Sequence, residues 1–218
     1  MAERGAAVTG GLLNAELLVP LTGELVRLEP LSEEHEADLW QAAQDTDWTW
    51  MPVDAGASPE AFRRWFEAEL ARASAGGEAP FATVWRESRR AVGATHYLEI
   101  RREHRRLEIG GTWLTRRVWG SGANVEAKLL LLEHAFMLGY QRVEFKAHPG
   151  NLRSRRALEA LPARFEGVLR KHLVVRGGQP RDSAYYSVID DEWPAVRANL
   201  ERRLKAHLKG EVGQDARR

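Results

Sequence analysis

The sequence predicts a single mixed α/β domain, a central sheet of about seven strands with helices on both faces. Three observations carry this expectation. Apolar spacing alternates between period two and helical period, in the order β-α-α-β-β-β-α-β-α-β-β-α. The β-α-β stretch from Leu107 to Ala147 requires a parallel pair, whereas the hairpins around it are antiparallel. The chain has 218 residues and no Pro/Gly/Ser-rich linker, enough for one sizeable core. Residues 1–20 read as a Gly/Ala-rich flexible extension, 21–208 as the domain and 209–218 as a polar tail.

Each element has a local cause. Glu24–Glu29 alternates apolar and polar residues as a half-buried strand does, and Pro30 ends it. Ser32 can cap a helix with Glu33 and Glu34 in its first turn, burying His35, Leu39, Trp40 and Ala43. The loop Asp45–Pro52 holds Trp48 and Trp50. Ser58-Pro59 then starts a helix with Phe62, Trp65, Phe66, Leu70 and Ala73 on one face, and Gly76-Gly77 stops it. Phe81–Trp85 and Ala91–Ile100 form a hairpin, with Arg101–Arg105 as the following turn. Leu107–Leu114 is a strand, and Val125–Leu138 is a deeply buried helix between an Asn124 cap and Gly139. Arg142–Ala147 is a strand with Val143, Phe145 and Ala147 inward, and Asn151 caps the next helix. Phe165–Val175 and Asp182–Val188 close as a hairpin about Gly177-Gly178. A final amphipathic helix starts near Glu192-Trp193-Pro194 and carries Val196, Leu200, Leu204 and Leu208.

Composition narrows the function. Lys and Arg number 32 against 31 Asp and Glu, so overall charge supports neither a nucleic-acid nor a membrane partner. The arginines at 101–106 and 153–156 lie among glutamates without interleaved aromatics, which ranks a nucleic-acid module last. The absence of cysteine removes disulfides, thiolate nucleophiles and thiolate metal sites, and agrees with a cytoplasmic setting. No histidine pair has metal-ligand spacing such as HExxH, so no metal is expected.

The most informative stretch is the turn between Leu114 and Val125. Arg117-Val118-Trp119-Gly120-Ser121-Gly122-Ala123-Asn124 joins a strand end to a helix start, with Arg116 alongside. Glycines let the backbone approach an anion, a helix N-terminus points N–H groups at it, and arginines add cationic support. A plain tight turn uses glycine equally well. The pattern has neither the third glycine of a dinucleotide loop nor the Lys-Ser/Thr of a P-loop.

Arg117-x-x-Gly120-x-Gly122 resembles the Q/R-x-x-G-x-G/A signature of the GNAT superfamily of acetyl-CoA-dependent N-acyltransferases. EIGGTWL (108–114), SGANVEAKLLLLEHAF (121–136), NLRSRRALEAL (151–161), RFEGVLRKH (164–172) and RDSAYYSVIDDEWPAV (181–196) are similar to its RimJ/RimL-type branch, related to ribosomal-protein N-acetyltransferases. The resemblance runs from about Leu21 to Leu208. It implies the GNAT fold, in which two parallel strands splay apart, and acetyl-CoA as acyl donor. It further implies that Trp113 and Leu114 pair with the pantetheine arm. Val118, Trp119, Gly120, Ser121, Gly122, Ala123 and Asn124 would hold the diphosphate. Arg153, Arg155 and Arg156 would be within reach of the 3′-phosphate.

Asn151 and Ser154 match the family's N-x-x-S. Leu158 occupies the position where many members carry a tyrosine proton donor, which moves that role to Ser154. Glu108 lies on the strand that often carries a general base, and His172 and His96 are alternatives with suitable side chains. Trp48, Trp50 and Met51 either floor an acceptor pocket or pack internally. Gly111, where the branch usually has a large aromatic, suggests extra room beside the thioester. The acceptor stays open between a protein N-terminus and a small-molecule amine, and the donor between acetyl- and succinyl-CoA. A catalytically inactive acyl-CoA sensor is the alternative function, and the assembly stays open between a monomer and a homodimer.

Overall fold

In the computed structural model, which describes residues 14–210, eight strands form one sheet in the order β1-β2-β3-β4-β5-β6-β8-β7. The strands are β1 (Leu21–Thr22), β2 (Val26–Pro30), β3 (Ala79–Trp85), β4 (Arg90–Arg101), β5 (Arg106–Leu114), β6 (Arg142–Ala147), β7 (Arg164–Val175) and β8 (Gln179–Ile189). The additional strand is β1, two residues that pair with β2 across the turn at Gly23. Every pairing is antiparallel except β5 with β6. The connection between those two contains a helix, as a parallel crossover requires.

The helices divide between the faces. α1 (Glu36–Gln44) and α2 (Pro59–Ser74) cover one side, and α3 (Ala123–Met137), α4 (Leu152–Ala160) and α5 (Trp193–Leu208) the other. Beneath α3–α5 lies a continuous apolar core that includes Val26, Leu28, Phe81, Tyr97, Leu107, Ile109, Leu131, Phe145 and Leu200. Beneath α1 and α2 lies a smaller, aromatic core of Trp48, Phe62, Trp65, Phe66 and Trp113. Period two in the strands creates this division: Leu107 and Ile109 face α3, so Glu108 between them faces the other way.

Three local expectations are revised. α3 starts at Ala123 under a left-handed Gly122 cap (φ +94°), so Asn124 lies inside the helix rather than capping it. Glu126 does more than complement the helix dipole. Its buried carboxylate accepts the N–H groups of Glu24, Leu25 and Val26 at 2.6, 2.7 and 2.7 Å, fastening the start of β2 to α3. The stretch expected to be a loose extension is packed from Asn14 onward. Leu17 is fully buried in the main core, and the Asn14 side-chain amide donates to the Gly76 carbonyl at 2.6 Å. The remainder of that extension and most of the polar tail lie outside the described residues.

Candidate active site

β5 and β6 pair through only three rungs, Arg106 with Arg142, Leu107 with Val143 and Glu108 with Glu144. Past that apex both strands continue without pairing to each other, β5 to Leu114 and β6 to Ala147. The cause is visible on the far edge of β5. Between Ala94 and His96 the β4 register shifts, so that β5 carries an extra residue at Gly111, which adopts φ +58°. A bulge of this kind bends its strand away from a neighbour. The result is a V-shaped opening whose upper wall leads into the glycine turn.

At the mouth of the V, Gly120 adopts φ +73° and an added Cβ would meet nothing within 4 Å. The turn backbone is therefore open on that side, as close approach by an anion requires. Gly122 is crowded instead, with His207 and Leu25 at 3.0 Å from the same hypothetical atom. Trp119 is 39% exposed and is anchored by its indole N–H, which donates to the Leu114 carbonyl at 2.9 Å. One lone pair of a carbonyl expected to be free for pantetheine is thus engaged. The Arg153 guanidinium stacks 3.6 Å from the centroid of Trp119, with Arg116 at 5.7 Å. Arg117 is exposed, 3.8 Å from Asp45. Val118 and Ala123 are buried, whereas Ser121 and Asn124 are half-buried. Ser121 Oγ donates to the Val118 carbonyl at 2.6 Å, tightening the turn.

At the start of α4, Asn151 Oδ1 accepts the Ser154 N–H at 3.0 Å, so Asn151 is a helix cap. Ser154 is half-buried one turn in. Arg155 is turned inward: its Nε donates to Tyr186 Oη at 2.8 Å and its guanidinium lies over Phe165 at 5.6 Å. Among the three arginines of this helix, it is Arg153 that reaches the turn.

The face beneath α1 and α2 collects the titratable groups. Glu108 is fully buried at the apex, with Lys146 Nζ 2.9 Å from its Oε2 and no hydrogen-bond partner for Oε1. Burial pushes its carboxyl above the usual range, and the Lys146 charge opposes that rise. Lys146 lies opposite Tyr185 on β8. The Tyr185 phenol, raised to about 12 by burial and by Glu108, contacts His172 Nε2 at 3.4 Å. His172 Nδ1 pairs with Ser183 Oγ at 3.1 Å, and burial holds the imidazole below its ordinary value. Arg181 is buried too, its Nε without a partner and its guanidinium 3.4 Å from the Trp50 carbonyl.

His96 is placed by the bulge. Its Nε2 lies 3.1 Å from Glu69 on α2, both groups buried, and Arg72 holds the other Glu69 oxygen. A Cβ on Gly111 would fall 2.5 Å from His96 Nδ1. The room expected at Gly111 is therefore filled by the His96 ring, a correction that neither strand predicts alone. Trp48 is likewise internal: it packs 5.0 Å from Trp113, its indole donates to the Ala43 carbonyl at 2.8 Å, and it belongs to the aromatic core. Met51 packs against the same core, while half-buried Trp50 lies 4.6 Å from His148. Of the three loop residues, Trp50 is the one on the polar patch.

Lys146, Tyr185, Arg181 and Glu69 are not evident as site residues from sequence. Glu69 left a trace, as a charged residue on the helical face of Phe62, Trp65 and Phe66. The others sit at ordinary polar positions of alternating strands. No group of three or more His, Asp or Glu side chains among the described residues is arranged to hold a metal. No helix among them is long and apolar enough to cross a membrane.

This fold and this opening define an acyltransferase of the GNAT type, and comparison with known proteins agrees. The sequence matches the Acetyltransferase (GNAT) domain over residues 26–164, and the chain belongs to that family. A GCN5-related N-acetyltransferase from Brucella melitensis is 31% identical, with a TM-score of 0.78 and 86% of each chain covered. A T. thermophilus chain assigned as an acetyltransferase is 39% identical, with a TM-score of 0.74, covering 85% of this chain and 96% of that one. Mycobacterium smegmatis RimJ, solved with CoA-disulfide, shares the fold at 22% identity and a TM-score of 0.67, over 84% and 92% of the two chains. A search of curated proteins found no match.

Proposed function

We propose that the protein transfers an acetyl group from acetyl-CoA to a primary amine by direct attack within a ternary complex. The observation that carries this reading is the opening between β5 and β6, with an uncovered glycine turn at its mouth and a buried carboxylate at its apex. The V offers unpaired strand edges to the amides of a pantetheine arm. The turn offers N–H groups and the α3 N-terminus to a diphosphate, with Arg116 and Arg153 at its rim.

In this reading Glu108 is the general base. A neutral amine must lose a proton as it acquires the acyl group, and a carboxyl raised by burial is better matched to that task than an exposed one. The Lys146 ammonium opposes that rise and favours the ionised form a base requires. His172 is a weaker candidate, because Ser183 and Tyr185 occupy both ring nitrogens. His96, held by Glu69, is a wall of the acyl site: its ring fills the space beside Gly111, which favours a small acyl group over succinyl. The α-amino group of a peptide is an acceptable partner, since its pKa of about 8 leaves some neutral amine near pH 7, whereas an alkyl amine with a pKa of about 10 depends more on the base.

The test is thiol release from acetyl-CoA and succinyl-CoA against a panel of amines. The chain has no cysteine, so it contributes no thiol background of its own. Amine-dependent CoA release with acetyl-CoA is the expected result. CoA binding without release for any amine identifies a sensor instead.

A further inference from the structure

Lys128 is a charged side chain in an apolar setting. It projects from α3 toward the sheet, in a stretch whose neighbours Ala127, Leu131 and Leu132 belong to the main apolar core, and it is 6% exposed. Its ammonium donates one hydrogen bond, to Thr112 Oγ1 on β5 at 2.8 Å, and lies 5.9 Å from the Phe145 ring on β6. Thr112 and Phe145 stand on opposite walls of the V, each beyond its last shared rung. The amine therefore lies between the splayed strands, on the α3 side. No carboxylate is within ion-pair distance among the described residues. An apolar side chain of the same length would fill this volume without burying a charge.

We propose that Lys128 is the acid that protonates the departing CoA sulfur. The inference rests on the acetyl-CoA reading above. An arm whose diphosphate sits on residues 118–124 and whose chain follows β5 inward brings its thioester to the level of Thr112 and Gly111, beside this ammonium. In the step, the acceptor nitrogen bonds to the carbonyl carbon and the C–S bond breaks. The electron pair passes to sulfur, which takes a proton from Lys128. The proton released by the amine goes to Glu108; after the products leave, Glu108 returns it to solvent and Lys128 regains its own from solvent.

Burial lowers the Lys128 ammonium to about 7, with the Glu108 charge opposing the shift. That makes it a far stronger acid than the Ser154 hydroxyl. The other charged groups nearby are engaged elsewhere. On its own helix, Glu126 binds the 24–26 amides and Glu133 pairs with Arg197. On β6, Lys146 pairs with Glu108, and on α4, Arg155 binds Tyr186. The Tyr97 phenol on β4 donates to the Leu131 carbonyl.

The experiment compares Lys128→Met and Lys128→Arg with the wild type in CoA binding, melting temperature and the pH profile of kcat. Lys128→Met should bind CoA within about threefold of wild type, melt no lower, and lose roughly 100-fold in kcat. The wild-type kcat should fall as pH rises past the titration of Lys128. Lys128→Met should lack that alkaline limb, and Lys128→Arg, which keeps the charge but gives up no proton, should lose both rate and limb in the same way; a Lys128→Arg variant near the wild-type rate overturns the acid role in favour of charge stabilisation. Wild-type kcat in Lys128→Met, or an unchanged alkaline limb, overturns the proposal while leaving the acetyltransferase reading intact. An acetylated Lys128 that passes its acyl group to amine, found by mass spectrometry, also overturns it by making the residue a nucleophile. A wild-type protein that binds CoA yet acetylates no amine sinks both readings.

Discussion

The two faces of the sheet solve different problems with different materials. On the α3 side, backbone geometry dominates: a bulge opens the strands, two left-handed glycines shape a turn, and apolar side chains hold the helix against the sheet. On the α1–α2 side, individual side chains take over: Glu108, Lys146, Tyr185, His172, His96 and Arg181, drawn from neighbouring strands. In the proposed reading, the backbone-built side serves what is constant among acyl-CoA molecules, their phosphates and amides, and the side-chain-built side serves what varies, the acceptor. The donor can therefore be named from this molecule with more detail than the amine that receives the acyl group.

The strongest way to break this contrast is at Glu108. Glu108→Gln keeps the volume and removes the base, and kcat/KM should fall by about 10²–10⁴. Because burial raises this carboxyl, the acid limb of the wild-type profile should lie above the ordinary carboxylate range, and the variant should lose it. A rate within threefold of wild type would return the base role to water or His172.

A second measurement concerns what holds the donor side together. Glu126→Ala strands three backbone N–H groups in a largely buried setting, and should cost about 3 kcal/mol by denaturant unfolding. A loss below about 1 kcal/mol would mean that water replaces the carboxylate. Smaller again is Gly120→Asp. Aspartate tolerates the left-handed backbone and the space is open, so the fold should survive while the carboxylate repels the diphosphate. CoA affinity should fall about 30-fold by calorimetry, or roughly 2 kcal/mol; unchanged affinity would remove the phosphates from this turn.

The subtlest test is the pH dependence of stability. The folded-state ammonium of Lys128 is depressed relative to the unfolded chain, so between about 7 and the ordinary lysine range the unfolded state binds more protons. Wild-type stability relative to Lys128→Met should therefore rise with pH across that window. A flat difference would mean that Lys128 is more solvated than its burial implies.

Much of this was legible in the sequence, and the exceptions share a cause. Period-two and helical spacing located the strands and helices, because burying one face imposes a repeat on the chain itself. Arg117, Gly120 and Gly122 marked the turn, because left-handed backbone and close approach are local demands. Leu21–Thr22 was missed because two residues are too few to show a period. Leu17 was missed because its surroundings look like a tail, although its side chain is fully buried. Trp48 and Met51 could equally have floored a pocket or packed internally, and packing against Trp113 and the aromatic core decides it through residues distant in sequence.

By itself, then, the sequence determined the fold, the family and the turn suited to an anion, all of which depend on short-range pattern. Only the tertiary structure decided that Glu108 meets Lys146, that His96 fills the space beside Gly111, and that the Lys128 amine lies between β5 and β6. Those facts depend on which strands are neighbours and where a bulge shifts their register, and no local spacing encodes either.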